Sequence, residues 1–594
     1  MVPPENFTNL TISGSRGSNS VTLSSSGSIG LAGTLTGSAT FGSGGYVITG
    51  STVDFNGAGT QTIPAFNFNN LTSSSTGART LSSTGTIGIA GTFTQGTNAY
   101  TITGSTVSYN GTGAQTVAGS TYHNLILATS GTKTFGSGTT SIGGNLTLSG
   151  TATGDATTNL STINYNASGA QAIANIQYYH LSLNGSGTKT FAAGTSYING
   201  NFTLGGTATA DATTNATTIN YSGSGGQAIA NITYNNLTLS NAGTKSFTTG
   251  TTAIHGTLTM AGSAAADAVT NSALIDYNGT GAQGIAAITY YDLSLSTSGT
   301  KTFTSGTTSV SHTLAIGGSA TADATTNSTT ISYGGSGSQN IAALVYYNLA
   351  LGNAGTKTFP SGTTSLQGSL TVSGSAVADA VTNTSTINYS GTGSQTIGAM
   401  NYYNLTSSSS GARTLASSGT IGIAGAFTPG TNAYTTTGST ISFNGTGGQS
   451  VPLFTFNNLS FGGSGAKSAA GTLSVGGNFT NPDTVVMGTY TLSVTGTKTN
   501  TGLIRFAGAS NGLPFTGGTV EYNGTVSQTV TTGTYNNLLF TSTGIKHPAA
   551  GVIANGNVTI GTGATLQVTG GVTMQIIGNV INQGTLQNAG ILTN

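Results

Sequence analysis

The sequence predicts an all-β protein, an elongated parallel β-helix (β-solenoid) with about three coils per 56-residue repeat. Three observations carry that expectation. Charged residues fill only 4% of the 594 positions and Gly fills 94, yet the chain is 36% hydrophobic, with 23 Tyr and 21 Phe. Disorder goes with high charge and few aromatic or β-branched residues, so this composition argues for order. Several residue types recur in step. Apolar residues alternate over short patches with no 3.6-residue stripe, the mark of strands with one buried face.

The beat is set by the leucine of an Asn-Leu dipeptide or its variant, at Leu10, Leu71, Leu125, Leu181, Leu237, Leu293, Leu349, Leu405, Leu459 and Leu538, with 56 the dominant spacing. An aromatic stands three residues before each, from Phe7 to Tyr535. A glutamine keeps the interval from Gln61 and Gln115 to Gln528, with an aromatic six residues before it, from Phe55 and Tyr109 to Tyr522. Ten of the 12 basic residues follow a Gly-containing turn at one station: Arg16, Arg79, Lys133, Lys189, Lys245, Lys301, Lys357, Arg413, Lys467 and Lys546. Asp155, Asp211, Asp267, Asp323 and Asp379 recur every 56 residues. Two nearly identical blocks, beginning at Ser73 and Ser407, bracket these Asp-bearing units and read as duplication of one module. The chain therefore divides into an N-terminal repeat over 1–71 that offers one assembly end, tandem 54/56-residue repeats over 72–459, and a divergent solenoid over 460–594 that offers the other.

Between Leu237 and Leu293, alternating patches stand at 236–240, 256–260, 273–277 and 292–296, separated by Gly, Asn and Ser turns. A propeller rarely exceeds about 8 blades, fewer than the ten Leu stations, and a sandwich needs about 100 residues per unit. A solenoid accepts any number of coils. Leu, Ile, Val and Phe are expected inside, Thr and Ser outside. Asn236, Asn348 and Asn404 are expected at bends, satisfying turn backbone, and the tyrosines to stack or lie on the surface. The periodic cation is expected to face solvent, where one charge per unit opposes edge-to-edge association of uncharged strands. Lys245 and Asp267, 22 residues apart, are placed for an inter-coil pair.

Composition excludes several kinds of chemistry. A net charge of +1 gives no field for nucleic acid or an acidic membrane. Without Cys there are no disulfides or thiolate metal sites. No 18-residue apolar run spans a membrane, and "MVPPENFTNL" shows no signal-peptide pattern. The repeated aspartates are too far apart for a glycosidase pair, whose carboxylates stand about 5–9.5 Å apart. Asp276 and Asp292 are the one pair adjacent coils can bring close, and Asp276, flanked by Ile275 and Tyr277, reads as an outward strand residue. His123, His180, His255, His312 and His547 form no metal-binding spacing. No phosphate loop or Gly/Asp calcium nonapeptide occurs. No catalytic, cofactor-binding or metal-binding residue is assigned, no cofactor is implied, and the chain is not expected to be an enzyme. Glycosylation triplets such as that at Asn236 follow from composition. Thr-x-Thr runs at Thr132–Thr134, Thr188–Thr190 and Thr257–Thr259 raise ice binding, but they do not recur on every coil.

The "YNNLTLS…GTKTF…GTL…INYNGTGAQTI" pattern resembles the β-strand-repeat surface proteins of bacteria, broadly the filamentous-haemagglutinin-like and autotransporter-like adhesins. The resemblance covers about residues 1–540. It implies a parallel β-helix, right-handed, with secretion and a structural or adhesive role. The expected function is an extracellular or cell-surface structural protein: a rod-like subunit of a fibre, self-associating head-to-tail through open β-edges. The alternatives are a stalk fragment of a large adhesin binding surface glycans, and an ice-binding solenoid. "FTNLTIS" near the start and "LQNAGILTN" at the end are repeat-like, without the polar cap that solenoids need for solubility.

Overall fold

The computed structural model describes residues 1–14, 17–37 and 45–594; Arg16, the first of the periodic cations, lies outside them. The chain forms two compact units, Met1–Lys301 with Ile316–Thr321, and Thr302–Ala315 with Ala322–Asn594. Each is a parallel β-solenoid. Together they hold about 29 turns, with about 49% strand and no helix among the described residues. Most strands hydrogen-bond to the third strand before and after them, so a turn has three strands and each unit three faces; the exceptions are Leu274–Tyr277 to Thr330–Tyr333, where strands run together around a corner, and Leu503–Phe506, which pairs with the next strand, Thr519–Tyr522.

The expected three coils per repeat resolve into a non-integral number. From His180 to Asn236 the 56-residue repeat contains eight strands: His180–Leu183, Ser186–Phe191, Thr195–Ile198, Phe202–Leu204, Thr207–Asp211, Thr218–Tyr221, Gln227–Ile229 and Thr233–Tyr234. Eight strands over three faces make two and two-thirds turns, or 21 residues per turn. The sequence repeat therefore advances by one face short of three turns each time. One sheet of the first unit shows this: it stacks Gln115–Val117, Thr132–Phe135, Thr153–Asp155, Gln177–Tyr178, Thr195–Ile198, Thr218–Tyr221, Asn236–Leu239 and Leu258–Met260, each of the eight repeat positions once. The 79-residue gap between Leu459 and Leu538 departs from this count, because Leu503–Phe506 pairs directly with the next strand, Thr519–Tyr522, and the coil between them has no strand on its other two faces.

Alternation decides what fills the interior. In Thr218–Tyr221 and Asn236–Leu239, Ile219, Tyr221, Leu237 and Leu239 are fully buried, and the residues between them are half-buried and face outward. The strands that the sequence patches missed, such as Thr244–Phe247 and Thr251–Ile254, are Thr-rich and bury one or two apolar residues each. Stacking of strands every ~4.8 Å supplies the backbone hydrogen bonds, and interior side chains stack on their counterparts in adjacent coils.

Candidate functional site

The periodic cation does not face solvent. Lys133, Lys189, Lys245, Lys301, Lys357, Lys467 and Lys546, with Arg79 and Arg413, are all 0% exposed. The reason is local. In Thr132–Phe135 the Phe135 ring is buried, and strand alternation sends Lys133, two residues earlier, to the same inner face. Register sets Lys133 beside Gln115 on the preceding coil, and the same pairing joins Gln171 to Lys189, Gln227 to Lys245, Gln339 to Lys357, Gln395 to Arg413 and Gln528 to Lys546.

Each ammonium enters a cradle of backbone carbonyls. Lys133 Nζ donates to Gly111 O at 2.7 Å and Gly113 O at 2.9 Å. Lys357 Nζ donates to Gly335 O at 2.7 Å, Gly337 O at 2.9 Å and Gln339 Oε1 at 2.7 Å. Gln339 closes the same turn: its Oε1 accepts from Gly335 N at 2.9 Å, and its Nε2 donates to Val310 O and His312 O, both at 3.0 Å. Glycine is needed at position 335 because an added Cβ would stand 2.0 Å from Ser311 O. Arg413 fills its cradle with a wider fork, donating to Tyr389 O, Gly391 O and Ser408 O at 2.9, 3.0 and 2.7 Å. Among the described cradle cations, Lys467 has a carboxylate within ion-pair distance, Asp483 at 3.9 Å. Burial lowers the pKa of the cradle lysines, bringing Lys546 to about 8.

The tyrosines also correct the sequence reading. Tyr277 and Tyr290 are fully buried, and their hydroxyls meet at 2.8 Å. Ala286 N–H donates to Tyr277 Oη at 3.2 Å, and Tyr290 Oη donates to Ala286 O at 2.9 Å. The Tyr290 proton is thereby used, so Tyr277 is the donor between the two hydroxyls and the ring of three bonds closes. Like pairs join Tyr109 to Tyr122, Tyr165 to Tyr178, Tyr221 to Tyr234, Tyr333 to Tyr346, Tyr389 to Tyr402 and Tyr522 to Tyr535. Two repeats lack hydroxyls, and there both members change: Phe55 packs on Phe68 with ring centres 6.2 Å apart, and Phe443 on Phe456 at 6.3 Å. In both, the residue at the Ala286 station is a proline, Pro64 or Pro452, which has no N–H to satisfy. This joint change of three residues was visible in the sequence and would have placed the tyrosines inside.

The aspartates hold turns. Asp211 Oδ1 accepts from Thr213 N at 2.9 Å, Thr214 N at 3.0 Å and Thr213 Oγ1 at 2.9 Å. Burial alone would raise the Asp211 pKa, but hydrogen bonds from Thr214 and Thr213 outweigh it and bring the value to about 2. The expected Lys245–Asp267 pair does not form, because register sets Lys245 against Ala266, and Asp267 accepts from Val269 N and Thr270 N. Asp276 lies opposite Ser294 and Asp292 opposite Leu274, two residues out of step, and Asp276 accepts from Ser296 Oγ at 3.0 Å.

Asn236, Asn348 and Asn404 sit at bends as expected, each Oδ1 accepting a backbone N–H of the next coil, from Thr257, Ser369 and Ala426. His180 takes that role in its repeat: Nδ1 accepts from Asn201 N at 2.9 Å, which puts the neutral ring's proton on Nε2. Among the described residues no three His, Asp or Glu side chains gather to hold a metal ion, and no helix is long and apolar enough to cross a membrane. The outward column of the eight-stranded sheet reads Thr116, Thr134, Asp155, Gln177, Tyr197, Asn220, Thr238 and Thr259, so precession of the repeat breaks up the threonine ladder on that face. No protein-family model, curated protein or solved structure matches the chain.

Proposed function

We propose that this chain is an extracellular structural protein, a solenoid subunit of a surface fibre that joins end to end. The supporting observation is the surface of the last coil. Ile577, Val580, Ile581, Leu586 and Ile591 are 56, 41, 43, 37 and 56% exposed, whereas Val558, Leu566 and Met574 in the coil before are fully buried. The strands Val580–Asn582, Thr585–Asn588 and Ile591–Thr593 each pair along one edge only. An apolar surface with open strand edges is what a further coil would cover, and in this reading the first coil of a second copy covers it. The reading also fits the interior, where the repeated cations and tyrosine hydroxyls serve packing rather than chemistry.

Negative-stain electron microscopy over a concentration series tests this. Filaments should lengthen with concentration, and Ile581→Asp with Ile591→Asp should abolish them while leaving the subunit folded. Discrete particles at every concentration would overturn the reading.

A further inference from the structure

We infer that the groove crossed by Tyr197 in the first unit is a binding site for a neutral saccharide. The inference rests on where this repeat departs from its neighbours. Tyr197 stands where the other Asp-bearing repeats have Ser141, Ala253, Ser309 and Ser365. Gly154 stands where the others have Ala210, Ala266, Ala322 and Ala378. Gln177 replaces the Thr, Val or Asn of other copies. These positions are some 20 residues apart in sequence, but register brings them onto successive rungs of one face: Asp155, which follows Gly154, opposite Gln177, and Gln177 opposite Tyr197. Drift would scatter such changes.

Together they line an open groove of about 370 Å³, within the range of small-molecule sites. Three rungs at ~4.8 Å spacing extend about 10 Å, enough for one or two sugar rings. The Tyr197 ring is 43% exposed, a flat apolar face against which the C–H bonds of a pyranose can lie. Neither the Tyr197 hydroxyl nor the Gln177 amide makes a hydrogen bond within the protein, and both point of contact and donor–acceptor capacity are left for a ligand. Gly154 and Ile176 form an apolar floor. Asp155 is held in its own turn, Oδ1 accepting from Thr157 N, Thr157 Oγ1 and Thr158 N and Oδ2 from Thr158 Oγ1, so it gives the groove a fixed negative charge, and the polar contacts to a ligand fall to Gln177 and Tyr197. The charge selects against anions: Asp155 is the ionisable group lining the groove apart from Tyr197, and the nearest repeat cations, Lys133 and Lys189, are buried in their cradles. This site does not depend on the fibre reading.

The test is saturation-transfer NMR on the full chain with cellotetraose, chitotetraose, mannotetraose and galactotetraose, and with oligogalacturonate as the anionic control. At least one neutral tetrasaccharide should bind at one site. Tyr197→Ser and Gln177→Thr restore residues that other repeats carry at these stations, so the fold is kept, and each should weaken binding at least tenfold. Ala210→Gly, Thr233→Gln and Ala253→Tyr together rebuild the groove one repeat on and should raise the stoichiometry from one to two. Silence from all four neutral sugars, binding unchanged in Tyr197→Ser, tighter binding of oligogalacturonate, or a rebuilt groove that adds no site would each overturn the inference.

Discussion

Replacing Tyr277 with Phe removes the acceptor of the Ala286 N–H, which is buried and has no other partner in the Tyr277–Tyr290–Ala286 ring. An orphaned buried donor costs about 1–3 kcal/mol. The Ala286 carbonyl is less vulnerable, because it accepts from Ile288 N at 3.0 Å as well as from Tyr290. The double variant Tyr277→Phe/Tyr290→Phe should therefore cost little more than the first change, since it orphans the same N–H and removes two hydroxyls that served each other. Adding Ala286→Pro removes the orphan and reproduces the Phe55–Phe68–Pro64 set that the chain already uses. It should return about 1–3 kcal/mol. A solenoid of many repeats does not unfold as one unit, so local stability is the proper measure. Native-state hydrogen exchange over Leu274–Tyr277 and Thr289–Leu295 reads it. Protection should fall in the double variant and recover in the triple. A triple variant less protected than the double would refute the argument that the N–H decides the choice between Tyr and Phe.

Two further outcomes follow from titration. Asp211 and Asp323 both have pKa values brought down to about 2, so the stability they add is present above the ordinary carboxylate value of 3.8 and lost as pH falls toward 2; exchange over the turns after each should quicken in that window, and Asp211→Asn should flatten the response at its own turn only. Lys546 behaves oppositely: with its pKa lowered by burial to about 8 against 10.5 when unfolded, the folded state binds its proton less well between those values, so local stability should rise with pH from 8 to 10.5, and Lys546→Met should remove that rise.

Strand alternation, the Gly turns and the period were legible in the sequence, and they suffice for a parallel solenoid. The bends at Asn236, Asn348 and Asn404 were legible too, because a short amide beside a turn has few other uses. The cations were misread because a charge suggests solvent, although Lys133 lies two residues from Phe135 in one strand and so shares its inner face. What overrides charge is the cradle: the Gly111–Gly113 turn aims two carbonyls at the ammonium, which donates to both. The fraction of a turn in each repeat was not legible from the apolar patches, because strands such as Ala265–Asp267 carry no large apolar residue. The Tyr197 groove lay outside sequence reasoning because only register joins positions 155, 177 and 197.

The central claim is that the repeat cations are structural and enclosed. Lys498 is exposed, whereas the seven cradle lysines are 0% exposed. Brief reaction of the native protein with an amine-reactive ester, followed by peptide mass spectrometry, tests this directly. The account predicts modification at Lys498 and the amino terminus, with Lys133, Lys189, Lys245, Lys301, Lys357, Lys467 and Lys546 reacting only after denaturation. Labelling of the cradle lysines in the native protein at the rate of Lys498 would contradict it.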